Sequence, residues 1–281
     1  MKHLLFIQSR KSILEFGFYK GLMAFAFTAM FTGSTHAFDT GDGEFLNRLY
    51  WRDFEEIRKI ENGQFISGKR NIEFGGSHNL IVANPGVVTQ ISADITVLEV
   101  INKNASPEAR VGGFFLNDGS GITGSEGEIF ARAGLTQLNL LDQTELVGEV
   151  HVFQCTDELC DNGNELFLDN ASFGTFNIND TVNASISFDG AQFLTFDING
   201  TVVSFDVLSA GLTVNPSIEP FAGITTADFE IDDRMDDSYI KAAFDNVMYN
   251  GAMHDDFSSA QLDPAKWNGR RLEGARKKEN G

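Results

Sequence analysis

From Asn79 onward, apolar and polar residues alternate with a period of two in short runs, and Gly, Asn and Asp separate one run from the next. That pattern marks half-buried strands rather than amphipathic helices. Strands are predicted over 91–100, 110–116, 128–133, 149–153, 173–178, 182–188, 192–198, 201–207 and 239–249. Asp189–Gly190 and Asn199–Gly200 each fit a tight hairpin turn with positive φ, which makes 182–207 a three-stranded meander. Segment 44–60 admits two readings. Phe45, Leu49 and Tyr50 would share a helix face, whereas alternation around Asn62–Gly63 favours a hairpin over 57–66. About ten strands at regular spacing, with no helix-length amphipathic segment among them, imply an all-β fold: a two-sheet antiparallel β-sandwich of jelly-roll type. Most Phe are expected in its core, including Phe188, Phe193, Phe196 and Phe205.

The N-terminus breaks this pattern. Residues 21–33 are uncharged and mostly apolar, they follow a basic stretch ending at Lys20, and small residues lead to Ala37. Residues 1–37 are therefore read as a signal peptide, the apolar run being short of the roughly 20 residues that span a bilayer. No other stretch is apolar and long enough to insert, so an exported protein is expected, in a secreted or periplasmic location. Export gives Cys155 and Cys160 a meaning: in an oxidising compartment they form one local disulfide closing a loop between two strands. His78, His151 and His254 show no metal-ligand spacing relative to that pair, which argues against zinc.

Charge narrows the partners. Of 281 residues, 21 are basic and 40 acidic, and both ends are basic, so 38–265 holds 11 basic against 37 acidic groups. A surface that negative repels phosphate backbones and anionic lipid, which excludes nucleic acid as an expected partner.

An echo joins the two ends. Asp53–Gly63 aligns without gaps on Arg271–Gly281 with six of eleven positions identical, and Trp51 and Trp267 lie upstream. The spacing suggests a sandwich over 38–256, with 257–281 either the start of a truncated second repeat or a disordered basic tail.

The run His254–Trp267, with its Asp-Phe-Ser and Leu-Asp-x-x-Lys-Trp phrases, resembles the opening of exported bacterial modules of the concanavalin-A-like lectin/glucanase superfamily. Ala243–Gly251 looks like the closing strand of such a module. The resemblance implies a jelly roll and a polysaccharide or cell-surface glycan as partner. Through Asp245 on the last strand, it also implies a structural calcium ion.

Catalytic chemistry is thin in the sequence. Retaining glucanases of that superfamily carry Glu, Asp and Glu on alternate positions of one strand. Here Glu230 and Asp232 are followed on that face by Arg234, so no second glutamate serves as acid. The loop 117–128 is oxygen-rich, yet Ile122 stands where an EF-hand needs a third oxygen ligand. Asp228, Asp232, Asp233, Asp236 and Asp237 crowd one segment and read as a solvated turn or a weak cation site. Beyond Tyr50 and Trp51, read as a packing pair, only Trp267, Tyr239 and Tyr249 offer large amphipathic rings for stacking sugars. The sequence favours an exported, non-catalytic glycan-binding or surface-interaction module. A glycoside hydrolase-like enzyme and a structural or adhesive spacer stand as the alternatives. Exposed aromatics on a concave sheet would speak for binding, and two carboxyls about 5–10 Å apart would speak for catalysis.

Overall fold

The computed structural model describes residues 57–70, 76–102, 105–121, 124–138, 145–160, 163–230 and 238–268. Residues 1–37, where the sequence predicts a signal peptide, the Tyr50–Trp51 pair, Asp232 and Arg234 lie outside them. The described residues form strands and turns only: β1 (Ile57–Glu61), β2 (Gln64–Arg70), β3 (Gly76–Val82), β4 (Gln90–Ile101), β5 (Ala105–Asn117), β6 (Glu128–Thr136), β7 (Glu145–Cys155), β8 (Gly163–Asp169), β9 (Thr175–Asn177), β10 (Thr181–Phe188), β11 (Phe193–Ile198), β12 (Thr201–Asp206), β13 (Phe221–Glu230), β14 (Tyr239–Tyr249), β15 (Ala252–Asp255) and β16 (Trp267–Asn268). Among them no helix is long and apolar enough to cross a membrane.

Two antiparallel sheets result. The first runs β1-β2-β14-β4-β10-β11-β12 with β15 beside β14, and the second runs β16-β3-β13-β5-β6-β7-β8 with β9 beside β7. Period-two alternation builds the space between them, since every second side chain points inward. Ile91, Ala93, Ile95 and Val97 of β4 thus meet Ala109, Val111, Ile129, Ala131, Ala133, Val150 and Val152 of the second sheet, all fully buried. Polar contacts also join the two sheets: Ser67 Oγ lies 2.6 Å from Thr226 Oγ1, so both buried hydroxyls are satisfied.

Local turn chemistry places the hairpins. Asn62 and Gly63 take φ of 53° and 74° between β1 and β2, which resolves the reading of 57–66 as a hairpin. Asn199 and Gly200 turn β11 into β12 in the same way. At Asp189–Gly190 the turn is longer than expected. Only Gly190 has positive φ there, and the Asp189 carboxylate caps the loop by accepting the backbone N–H groups of Ala191, Gln192 and Phe193.

Two further expectations are corrected. Phe196 and Phe205 are core residues, but Phe193 is exposed, because a period of two cannot put positions 193 and 196 on one face. The expected domain end at 256 moves to at least 268. Phe257, Leu262 and Trp267 pack in the core, and β16 pairs with β3.

The expected disulfide joins Cys155 to Cys160 with Cα atoms 4.8 Å apart, across the turn from β7 to β8. So short a loop confers about 2 kcal/mol by chain entropy. Replacing both cysteines by Ser should therefore lower the denaturation midpoint modestly and leave the transition cooperative, as urea unfolding would measure.

Candidate functional site

Cross-strand register decides what stands together on the outer face of the second sheet. Pairing aligns Ala227, Glu108, Thr136 and Val147 in one row across β13, β5, β6 and β7, and Thr225, Arg110, Gly134 and Glu149 in the next. A third row holds Gly223, Gly112, Arg132 and His151, and a fourth holds Phe221, Phe114, Phe130 and Phe153. Five charged or titratable side chains and four phenylalanines, far apart in the chain, thus share one patch.

Glycines let the patch pack close to the backbone. A Cβ on Gly134 would fall 2.6 Å from Arg110 Cβ, and one on Gly112 would fall 3.1 Å from the Phe130 ring. The Phe130 ring therefore lies over Gly112, with the Arg110 guanidinium 5.9 Å from its centroid. Phe114 meets Phe130 edge-on at 5.8 Å and Phe221 at 5.8 Å. All four phenylalanines of the row are half-buried, so they form an apolar strip about 14 Å long across four strands spaced about 4.8 Å.

Beside the strip lies an ion network. Glu108 is bonded to Arg110 and accepts from Arg132 at 3.1 Å, while the other arm of Arg132 reaches Glu149 at 3.4 Å. A shallow recess of about 10 Å³, room for about one water, lies among Glu108, Arg110, Arg132, Thr136 and Glu149. Burial pulls Arg110 down to about 10, still well above neutrality. Burial, reinforced by Glu108, pushes the Glu149 carboxyl up to about 7. Burial and the Arg132 charge pull His151 down to about 4, although its Nε2 lies 3.3 Å from the exposed Glu165 carboxylate. At neutral pH the imidazole is therefore uncharged and Glu149 is partly protonated. Arg132 Nε is buried with no hydrogen-bond partner among the described residues, and His151 Nε2 is buried with the Glu165 carboxylate 3.3 Å away in a geometry that makes no hydrogen bond; the two residues lie opposite each other across β6 and β7. Buried polar atoms are normally satisfied, which sets Arg132 Nε apart from the rest of the network.

The sequence-predicted residues lie elsewhere. Asp245 sits on β14 opposite Asp94 on β4, away from the second sheet. Burial raises its pKa, with Asp94 and Asp256 adding to the effect. Its Oδ1 accepts the Asn246 N–H at 2.7 Å, and Asp94 is held by the amides of Asn183 and Asn246 at 2.8 and 2.9 Å. Among the described residues, no three His, Cys, Asp or Glu side chains converge as a metal cluster. Trp267 and Tyr239 are fully buried and stack no sugar. Sequence reasoning missed Glu108, Arg110, Arg132, Glu149, His151 and the Phe row. Their only local signal is a charged residue at every second position of otherwise apolar strands, as in Glu149 and His151.

No protein-family model matches the chain, and no curated protein matches it. Among solved structures, the chain is similar to the kappa-carrageenase of Pseudoalteromonas carrageenovora at 8% identity, covering 74% of this chain and 92% of that one, with a TM-score of 0.35. It is similar to a glycoside hydrolase family 16 endo-glucanase from Bacteroides ovatus at 9% identity, covering 66% and 80%, with a TM-score of 0.39. An alginate lyase from Pseudomonas aeruginosa shares 10% identity over 72% and 88%, with a TM-score of 0.37. Likeness at this level carries no argument about what this chain binds or does.

Proposed function

We propose that the protein binds a polysaccharide chain across the outer face of its second sheet, without cleaving it. The observation that carries this reading is the buried, unpartnered Nε of Arg132, opposite His151 across β6 and β7, beside a strip of four half-buried phenylalanines. Apolar C–H faces of sugar rings suit the strip, and sugar hydroxyls suit a guanidinium and a neutral imidazole. A strip about 14 Å long accommodates several sugar units rather than one.

One observation favours a second reading, that of a glycan-cleaving enzyme: a carboxyl at about 7 is poised as a proton donor near neutrality. Hydrolysis needs a second, available carboxylate. Two carboxylates act on Glu149: Glu108 is buried and locked between Arg110 and Arg132, and Glu165 is held 3.3 Å from His151 Nε2. Binding without chemistry is thus the better fit.

Calorimetric titration of the full chain with soluble neutral and acidic glycans tests both readings. One glycan class should bind, and Phe130→Ala should weaken it about tenfold or more, as for a central interface residue. Release of new reducing ends or unsaturated products, abolished in Glu149→Gln, would establish the enzyme. Absence of binding to every class would leave the spacer.

A further inference from the structure

A second buried site lies at the other end of the same sheet strands, where the β5–β6 loop meets the segment between β12 and β13. Glu128, the first residue of β6, is fully buried. Its Oε1 accepts three N–H groups, from Ile218 at 2.7 Å, Glu219 at 3.1 Å and the Asn117 side chain at 3.3 Å. Its Oε2 is buried with no hydrogen-bond partner, and so is the hydroxyl of Ser217, the residue just before Ile218. Neither protonation state mends this, because an ionised Oε2 lacks a donor and a protonated one lacks an acceptor.

The neighbourhood is rich in oxygen and acidic. The Ser125 hydroxyl donates to Glu219 Oε2 at 3.3 Å, and Ser125 O accepts the Glu128 N–H at 3.0 Å, which ties Glu219, Ser125 and Glu128 into one group. Asn117 and Asn215 bond each other through their backbones at 2.9 and 3.1 Å, which fixes the two segments together. A water molecule would satisfy a lone pair on Oε2 but bring no positive charge to the buried carboxyl group. A cation would do both.

We propose that this junction binds one hard divalent cation of calcium's class, ligated by Glu128 Oε2 and the Ser217 hydroxyl, with the Glu219 carboxylate beside them. Two carboxylates balance a double charge, and the remaining ligands are neutral oxygens, which suits calcium's flexible all-oxygen coordination better than the strict octahedron of magnesium. The oxygen-rich loop 117–128 takes part through its two ends, Asn117 and Glu128. Its interior Asp118 is occupied with the Ser120 N–H and the Gln154 side chain.

Calcium titration of chelator-treated full chain, followed by calorimetry and by thermal unfolding, is the test. Saturation at about a hundred times Kd should raise the midpoint by about 5–10 °C, with a smaller rise for magnesium. Glu128→Gln keeps an acceptor for the N–H groups, removes the charge, and should abolish the rise. Ser217→Ala should weaken calcium about tenfold or more, and it reports on the site even if the Glu128 variant fails to fold. Asp245→Asn should leave the response intact. Absence of heat and shift in the native chain, full affinity in Ser217→Ala, or loss of the response in Asp245→Asn would each overturn the assignment.

Discussion

A chain ending at Asp256 should show no cooperative unfolding transition, although it contains fifteen of the sixteen strands among the described residues. The reason lies in three side chains beyond that point: Phe257, Leu262 and Trp267, exposed by 1%, 7% and 0%. Trp267 stacks on Phe257 at 6.0 Å, meets the His254 ring edge-on at 4.5 Å, and donates its Nε1–H to Asp255 Oδ2 at 2.6 Å. Phe257 in turn packs on Phe65 of β2, and β16 pairs with β3, so the segment binds both sheets. Emptying a large core site costs about 3–5 kcal/mol, and removing three of them rivals the roughly 5–15 kcal/mol that holds a domain folded. In the full chain, Trp267→Ala alone should lower the midpoint by about 6–20 °C. Trp267→Phe should lower it less, since it keeps the ring packing and gives up only the bond to Asp255, worth about 1–3 kcal/mol. Circular dichroism melts of the three proteins would check the order; a truncated chain as stable as the full one would refute it.

The segment also marks where sequence reasoning stops. Hairpins set by two adjacent residues, such as Asn62–Gly63 and Asn199–Gly200, were legible because their φ requirement is local. A strand with one face in the core and one toward water was legible because its alternation is itself local, as in β10. By contrast, β13 lies inside its sheet and its faces do not separate apolar from polar, with Ala222, Ile224 and Thr226 inward and Phe221, Gly223 and Thr225 outward. No apolar–polar alternation announces it. The Trp267 segment was misread because its motif resembles a module's opening, and burial against β3 is a property of long-range register. The site was hidden for that reason too. Glu108, Arg132 and Glu149 each read as an ordinary outward position, and only the pairing of β5, β6 and β7 turns them into one network.

That network should give the protein a flat pH–stability profile that single substitutions tilt in opposite directions. Glu149 titrates at about 7 in the folded chain against an ordinary value of 4.5, so folding favours its protonated form. Its contribution is full below 4.5 and is lost as pH rises through 7. His151 titrates at about 4 against 6.5, so folding favours its neutral form. Its contribution is full above 6.5 and is lost as pH falls through 4. Between about 4.5 and 6.5 the two slopes oppose each other, and each shift corresponds to about 3 kcal/mol over its whole range. Glu149→Gln removes the falling limb, so that variant should gain stability steadily as pH rises from 4 to 6.5. His151→Gln removes the rising limb and should lose stability from 4.5 to 7. Urea midpoints at half-unit pH steps would read both slopes. Profiles for the two variants that tilt the same way would show that the two groups do not titrate as their burial beside Arg132 and Glu108 requires. A glycan seated over Arg132 and His151 deepens that burial and should therefore bind more weakly below pH 4, where the imidazole is charged in the free protein.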